Sequence, residues 1–258
     1  MRPQSNTKRV AAIIPAAGSG QRLGGSISKA WLPLHGQPML AHSVRALQAH
    51  PAVRWIVLVV RDADLRAAVT LLKRLRITKA LPPCLGGDSR AESVAKGFAL
   101  VPPQAKWVLV HDAARPCLTR GLIDAAVQGA GRHGAVACGL PASLTVKAVD
   151  AQREVRLTLD RDSLWFVQTP QVFRRDWFGE ALAKTNGTLA QFPDDAAIVE
   201  SAGFPVSMVP GDPWNIKVTT REDLLLAETI LGTRNGWKGN RQKEKGNSTS
   251  QKVKLRSH

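Results

Sequence analysis

Val10-Ala11-Ala12-Ile13-Ile14-Pro15-Ala16-Ala17-Gly18-Ser19-Gly20-Gln21-Arg22 is the stretch on which the fold turns. Five apolar residues with no polar alternation describe a strand buried on both faces, and proline followed by glycines and alanines ends it in a loop. Two further runs of the same kind, Trp55–Val60 and Trp107–Val110, are separated from the first by segments with helical apolar spacing, Met39–Gln48, Leu65–Leu75 and Glu92–Leu100. Strand and helix in alternation imply parallel pairing through right-handed crossovers. The expected fold is α/β, a doubly wound, mostly parallel sheet, whose ligands bind outside the carboxyl ends of the strands.

The rest of the 258 residues bears on function class. Leu144–Leu159 breaks the rhythm, with Val155, Leu157 and Leu159 alternating after a polar turn at Asp150–Arg153. This reads as a hairpin, a projecting ribbon over about residues 142–162 that needs a packing partner, with a second subunit expected in that place. Helical spacing returns at Arg174–Ala183, Asp195–Ser201 and Arg221–Leu231.

The net charge of +16 is concentrated at the ends: residues 1–9 carry +3, residues 232–258 carry +7, and residues 10–231 keep +6. A basic, Gly/Asn/Ser/Gln-rich tail over 232–258 is expected to be disordered. A nucleic-acid-binding protein would place its basic residues on the folded face with aromatic interleaving, so that class is disfavoured. Three scattered cysteines, Cys84, Cys117 and Cys138, give neither a disulfide scaffold nor metal-ligand spacing. Pro15 interrupts the first apolar run too early for a secretory signal, and no run is long enough for a bilayer. A cytoplasmic protein is expected.

Four segments carry chemistry. The loop Pro15–Gly25 with Lys29 beyond it lets the backbone approach a ligand and supplies Arg22 and Lys29 as cations, an anion site suited to a polyphosphate. The dinucleotide fingerprint fails because Leu23 stands where it needs glycine, and a Walker loop is absent. The plain alternative is a tight turn. His111-Asp112-Ala113-Ala114-Arg115-Pro116 puts a carboxylate at the ligand edge of the sheet. Asp112 could hold Mg²⁺ directly or through water, or could pair with Arg115 and only shape the loop; His111 reads as packing. Gly86-Gly87-Asp88-Ser89-Arg90-Ala91-Glu92-Ser93 is either a helix cap or a close approach to a flat base. Trp214–Thr219 reads as a short strand carrying Lys217.

In order and spacing these segments, with Asp160-Arg161 and Thr169-Pro170-Gln171, resemble the 2-C-methyl-D-erythritol 4-phosphate cytidylyltransferase family of the non-mevalonate isoprenoid pathway, over about residues 9–231. The resemblance implies a Rossmann-like nucleotidyltransferase fold and transfer of CMP from CTP to the polyol phosphate, with Mg²⁺ or another divalent cation and a homodimer joined through the ribbon. It places Ala16, Ala17, Gly18, Gly87, Asp88, Ser93 and Ala113 on the nucleotide and Arg22 and Lys29 on the triphosphate. Asp112, Arg115 and Thr169 fall on the acceptor side. Arg161 and Lys217 match the residues that position the acceptor, with Arg161 and Thr145 coming from the neighbouring subunit. The chain departs from the family's usual residues at Ser28 and Ala30 beside Lys29, at Leu144 where an acid is usual, and at Pro193 before Asp194-Asp195. The last two lie on the acceptor side, and keep another polyol phosphate, such as ribitol 5-phosphate, as an alternative.

Overall fold

The structure, a computed structural model, describes residues 9–18, 28–185 and 189–244, with side chains of the final helix up to Arg234. In chain order the first half comprises β1 (Val10–Pro15), β2 (Pro33–Leu34), β3 (Gln37–Pro38), α1 (Met39–Ala49), β4 (Val53–Val60), α2 (Leu65–Arg74), β5 (Cys84–Leu85), α3 (Arg90–Ala99) and β6 (Trp107–Val110). The second half comprises α4 (Arg120–His133), β7 (Ala135–Pro141), β8 (Val146–Val149), β9 (Val155–Leu159), β10 (Trp165–Arg174), α5 (Arg175–Lys184), α6 (Asp195–Ser201), β11 (Ser207–Pro210) and α7 (Arg221–Glu244).

Seven strands form one sheet in the order β11-β7-β10-β6-β1-β4-β5. All neighbours are parallel except β10, which runs antiparallel to both β6 and β7. The apolar runs behave as buried strands should. Val10, Ala12, Ile14, Leu58, Val60 and Leu109 pack on one face among residues of α1, α2 and α4; Ala11, Ile13, Val57, Val59, Val108 and Val110 pack on the other among residues of α3, α5 and α6. Gly97 brings α3 down onto the sheet, because a Cβ there would lie 2.8 Å from both Ile13 and Val59 methyls.

The order of strands places the site. From β1 the chain moves outward through β4 and β5, then crosses back to β6 on the other side of β1. The crevice at the carboxyl ends of β1 and β6 is therefore the switch point at which doubly wound sheets bind ligands.

The expected ribbon is present: β8 and β9 pair only with each other, Val146 opposite Leu159, and turn through Arg153 at φ 67°. Two expectations are corrected. Trp214–Thr219 is not a strand but an extended loop, whose backbone bonds Ala114 rather than a sheet neighbour (Val218 N–H to Ala114 O, 2.8 Å). Nor does the last helix stop at residue 231. Helix α7 continues to Glu244, and Arg234 ties it to the body by donating to Cys117 O at 2.6 Å and to Asp212 Oδ2 at 3.0 Å. Residues 245–258 lie outside the described residues, as does most of the N-terminal extension. No helix among the described residues is long and apolar enough to cross a membrane.

Candidate active site

A cavity of about 580 Å³ opens at the switch point. Pro15–Gly18 after β1 form one wall, Gly87–Arg90 and Ser93 a second, and Asp112–Ala114 a third, with Lys29, Ala30 and Lys217 completing it. The structure thus brings together all seven expected nucleotide contacts, together with Lys29, Asp112 and Lys217. Arg22 lies outside the described residues.

The loop leaving β1 is held by Ala16 N–H to Val59 O at 2.7 Å and by Ser28 Oγ donating to Gly18 O at 3.2 Å. The second wall is a helix cap and a cavity wall at once, so its two readings do not exclude each other. Ser89 Oγ accepts from Glu92 N–H at 3.1 Å, and Glu92 Oε2 accepts from the Asp88 and Ser89 amides at 2.8 and 3.3 Å. Ser93 Oγ accepts from Gly87 N–H at 3.0 Å and donates to Ser89 O at 2.9 Å. These amides are already used within the wall. Gly86 serves a close approach between the two loops, since a Cβ there would sit 2.3 Å from the Ala17 methyl carbon, whereas a Cβ on Gly87 would meet Glu92 of its own wall at 2.5 Å.

The third wall carries the charge. Asp112 Oδ1 accepts from Arg90 Nε at 2.9 Å, and Oδ2 lies 2.8 Å from Lys217 Nζ. Arg90 Nη2 reaches on to Asp195 Oδ2 at 2.8 Å. Burial alone would raise the Asp112 pKa, but Arg90 and Lys217 outweigh it and hold the carboxyl well below the usual carboxylate range. Burial likewise opposes the charge of Arg90, and Asp195 with Asp112 more than compensates, raising its pKa. Asp195, fully buried, is pushed upward by desolvation against the pull of Arg90.

Two residues expected on the acceptor are bonded within the fold. Arg115 neither pairs with Asp112 nor lines the cavity; it is buried, and donates to Asn215 O at 2.8 Å and to Val167 O at 3.4 Å. It clamps the loop that presents Lys217. Thr169 is buried as well: its Oγ1 accepts from Asp112 N–H at 3.1 Å and its carbonyl accepts from Asn215 Nδ2 at 2.7 Å. Thr169 uses its hydroxyl and carbonyl within the fold, while Arg115 keeps Nε buried without a hydrogen-bond partner. Thr145 and Arg161 sit on the exposed arm, outside this chain's own cavity, with Arg161 Nη1 bonded to Ser143 O at 3.5 Å.

The protonation of His111 follows from its partners. Its Nε2 is 3.0 Å from Arg115 O, a pure acceptor, so Nε2 carries the hydrogen. Nδ1, 3.1 Å from Thr169 Oγ1, then accepts the threonine proton. Burial lowers its pKa from 6.5 to about 4. A depressed pKa contributes stability that is complete above pH 6.5 and is lost as pH falls towards about 4. Relative to His111→Gln, which keeps a donor and an acceptor but does not titrate, the wild type is expected to lose about 3 kcal/mol between pH 7 and pH 4 in urea unfolding. Parallel curves would contradict a neutral buried ring; other titrating groups cancel in the comparison.

Arg90, which lines the cavity, and Asp195, which holds it, are the residues of this site that sequence reasoning missed. One signal was available. Arg90 is the first residue of α3, after the Ser89 cap, where the helix dipole disfavours a cation.

Direct ligation of Mg²⁺ by Asp112 fits this arrangement poorly, since each carboxylate oxygen already faces a cation that would have to give way. Among the described residues no group of three His, Cys, Asp or Glu side chains could hold a metal ion. A contact through water requires no such exchange.

A glycine-lined crevice at the switch point of an α/β sheet, with Lys29, Arg90 and Lys217 on its walls, suits the phosphates of a nucleotide, the setting of a nucleotidyltransferase. The IspD family model, 2-C-methyl-D-erythritol 4-phosphate cytidylyltransferase, matches residues 10–233. This chain belongs to that family. The 2-C-methyl-D-erythritol 4-phosphate cytidylyltransferase of Pelotomaculum thermopropionicum is 40% identical over 229 residues, covering 88% of this chain and 96% of that one. That of Desulforamulus reducens is 40% identical over 231 residues, covering 88% and 98%. The crystal structure of 4-diphosphocytidyl-2C-methyl-D-erythritol synthase from Anaerococcus prevotii superposes with a TM-score of 0.77 at 27% identity, covering 88% of this chain and all of that one.

Proposed function

We propose that the protein transfers CMP from CTP to 2-C-methyl-D-erythritol 4-phosphate, giving 4-diphosphocytidyl-2-C-methyl-D-erythritol and pyrophosphate. The observation that carries the reading is the meeting of Lys29, Asp112 and Lys217 around the glycine-walled cavity, in a chain of this family. A phosphate oxygen of the acceptor attacks the α-phosphorus of CTP in line; a P–O bond forms to it as the bond to the β-phosphate oxygen breaks. The nucleophile is already an anion, so no base need remove a proton. The obstacle is repulsion between two anions, and cations fixed before the reaction offset it. Lys29, with Arg22, serves the triphosphate; Lys217, steadied by Asp112, orients the acceptor. A divalent cation such as Mg²⁺, which Asp112 would help to hold through water, would neutralise leaving-group charge.

The homodimer is part of the same proposal. The ribbon exposes Leu144, Val149, Val155 and Leu157, and Trp165–Val167 beside it are exposed too, with Leu144 at 73%. Such a row of apolar side chains is costly in water and suits an isologous contact. It would carry Arg161 of the partner subunit and the partner's Thr145 into the cavity. A cytoplasmic location agrees with the three free cysteines.

Pyrophosphate release with CTP and a panel of polyol phosphates tests the reading. Turnover is expected with 2-C-methyl-D-erythritol 4-phosphate at least tenfold above ribitol 5-phosphate. Preference for ribitol 5-phosphate would overturn the acceptor, and no release with any acceptor would overturn the activity.

A further inference from the structure

We infer that Arg90, anchored by Asp195, is a positioning residue for the acceptor side of the site, acting through Asp112 on Lys217. The inference rests on the proposed function and adds two residues from outside its expected machinery.

The four side chains form one line of alternating charge, Asp195–Arg90–Asp112–Lys217, with contacts of 2.8, 2.9 and 2.8 Å. The line starts at the buried Asp195, and its other three members line the cavity. Asp195 is 0% exposed, Arg90 28%, Asp112 9% and Lys217 42%. Its members come from α6, α3, the β6 loop and the loop before α7, so it joins four separate parts of the chain.

Stability does not account for this line. Buried ion pairs recover little beyond their desolvation cost, and apolar packing would serve as well. Asp195 also leaves Oδ1 buried with no hydrogen-bond partner, a further cost. Arg90 opposes the dipole of its own helix. Costs of this kind gathered at one cavity wall mark a place where function overrides local preference.

The geometry shows what is gained. Thr169 fixes the backbone of Asp112, yet its carboxylate could still rotate. Arg90 prevents this by holding Oδ1, which leaves Oδ2 for Lys217. Only a planar guanidinium can span two carboxylates in this way; a lysine ammonium is a point charge. Without Arg90, Asp112 would turn both oxygens to Lys217 and cancel the charge that meets the acceptor phosphate.

The test is a kinetic cycle on wild type, Arg90→Gln, Asp195→Asn, the double variant and Arg90→Lys, with KM measured separately for CTP and for 2-C-methyl-D-erythritol 4-phosphate. Arg90→Gln is expected to raise acceptor KM at least tenfold while CTP KM moves less than threefold. Asp195→Asn gives a smaller rise of the same kind, the double variant is no worse than Arg90→Gln alone, and Arg90→Lys recovers only part of the loss. Equal rises for both substrates, or losses that add, would overturn the inference. Absence of turnover in the wild type would refute the functional reading instead. The same cycle is then read from urea midpoints, where strictly additive shifts would overturn the line of coupled charges.

Discussion

Replacing Lys29 by alanine is expected to lower kcat on the order of 10²- to 10³-fold and to leave the protein folded. The side chain lines the cavity, and its ammonium donates to Val218 O at 2.7 Å, one residue beyond Lys217. What the fold requires of this short turn is the buried methyl of Ala30, which the substitution leaves in place. Removing a preorganised cation from a site where negative charge builds up costs about 3–4 kcal/mol of transition-state stabilisation. Steady-state turnover together with circular dichroism checks both halves. A variant that stays within threefold of wild type would make the glycine loop a turn and nothing more. Arg22→Ala carries the same expectation from its place in the sequence.

Asp112→Asn should be the most damaging single change to the site, because it acts on chemistry and stability together. An asparagine can turn its oxygen to Arg90 only by turning its amide towards Lys217, which sets donor against donor where the native contacts are 2.9 and 2.8 Å. Breaking a buried pair on one side leaves uncompensated charge. The expected loss is about 3 kcal/mol, the low end for such pairs, since Lys217 stays 42% exposed and water recovers part of its charge. Activity with limiting acceptor should fall at least 100-fold, a size set by the loss of one fixed charge contact. Urea unfolding and kcat/KM for the acceptor measure the two effects. Unchanged stability with normal acceptor kinetics would show that the two cations do not depend on Asp112.

What the sequence made legible depended on how local each cause was. Val10–Ile14, Trp55–Val60 and Trp107–Val110 are strands because continuous apolar residues can be buried on both sheet faces, a property visible in the run itself. Ser89 to Glu92 is a cap within one helical turn. The strand β10 was not legible. It carries Gln168, Thr169 and Gln171, buried polar side chains that read as loop until their partners are known, among them Asp212, His111 and Asp194. Trp214–Thr219 misled in the opposite direction: its alternation suits a strand, but Ala114, Thr169 and Asp223 supply its hydrogen bonds. The basic composition after residue 231 suggested a tail, while the helix is tied down by distant partners, among them Cys117, which Arg234 reaches from 117 residues away. Arg90 and Asp195 are 105 residues apart, and only the fold makes them a pair.

The central claim is that cytidine triphosphate occupies the crevice between the β1 and β6 loops with Lys29 on its phosphates. A crystal structure of the protein with CTP tests it most directly. The base and ribose are expected against Ala16–Gly18 and Gly87–Ser93, and Lys29 Nζ drawn from Val218 O to a phosphate oxygen. Nucleotide bound elsewhere, with Lys29 still on the Val218 carbonyl, would contradict it.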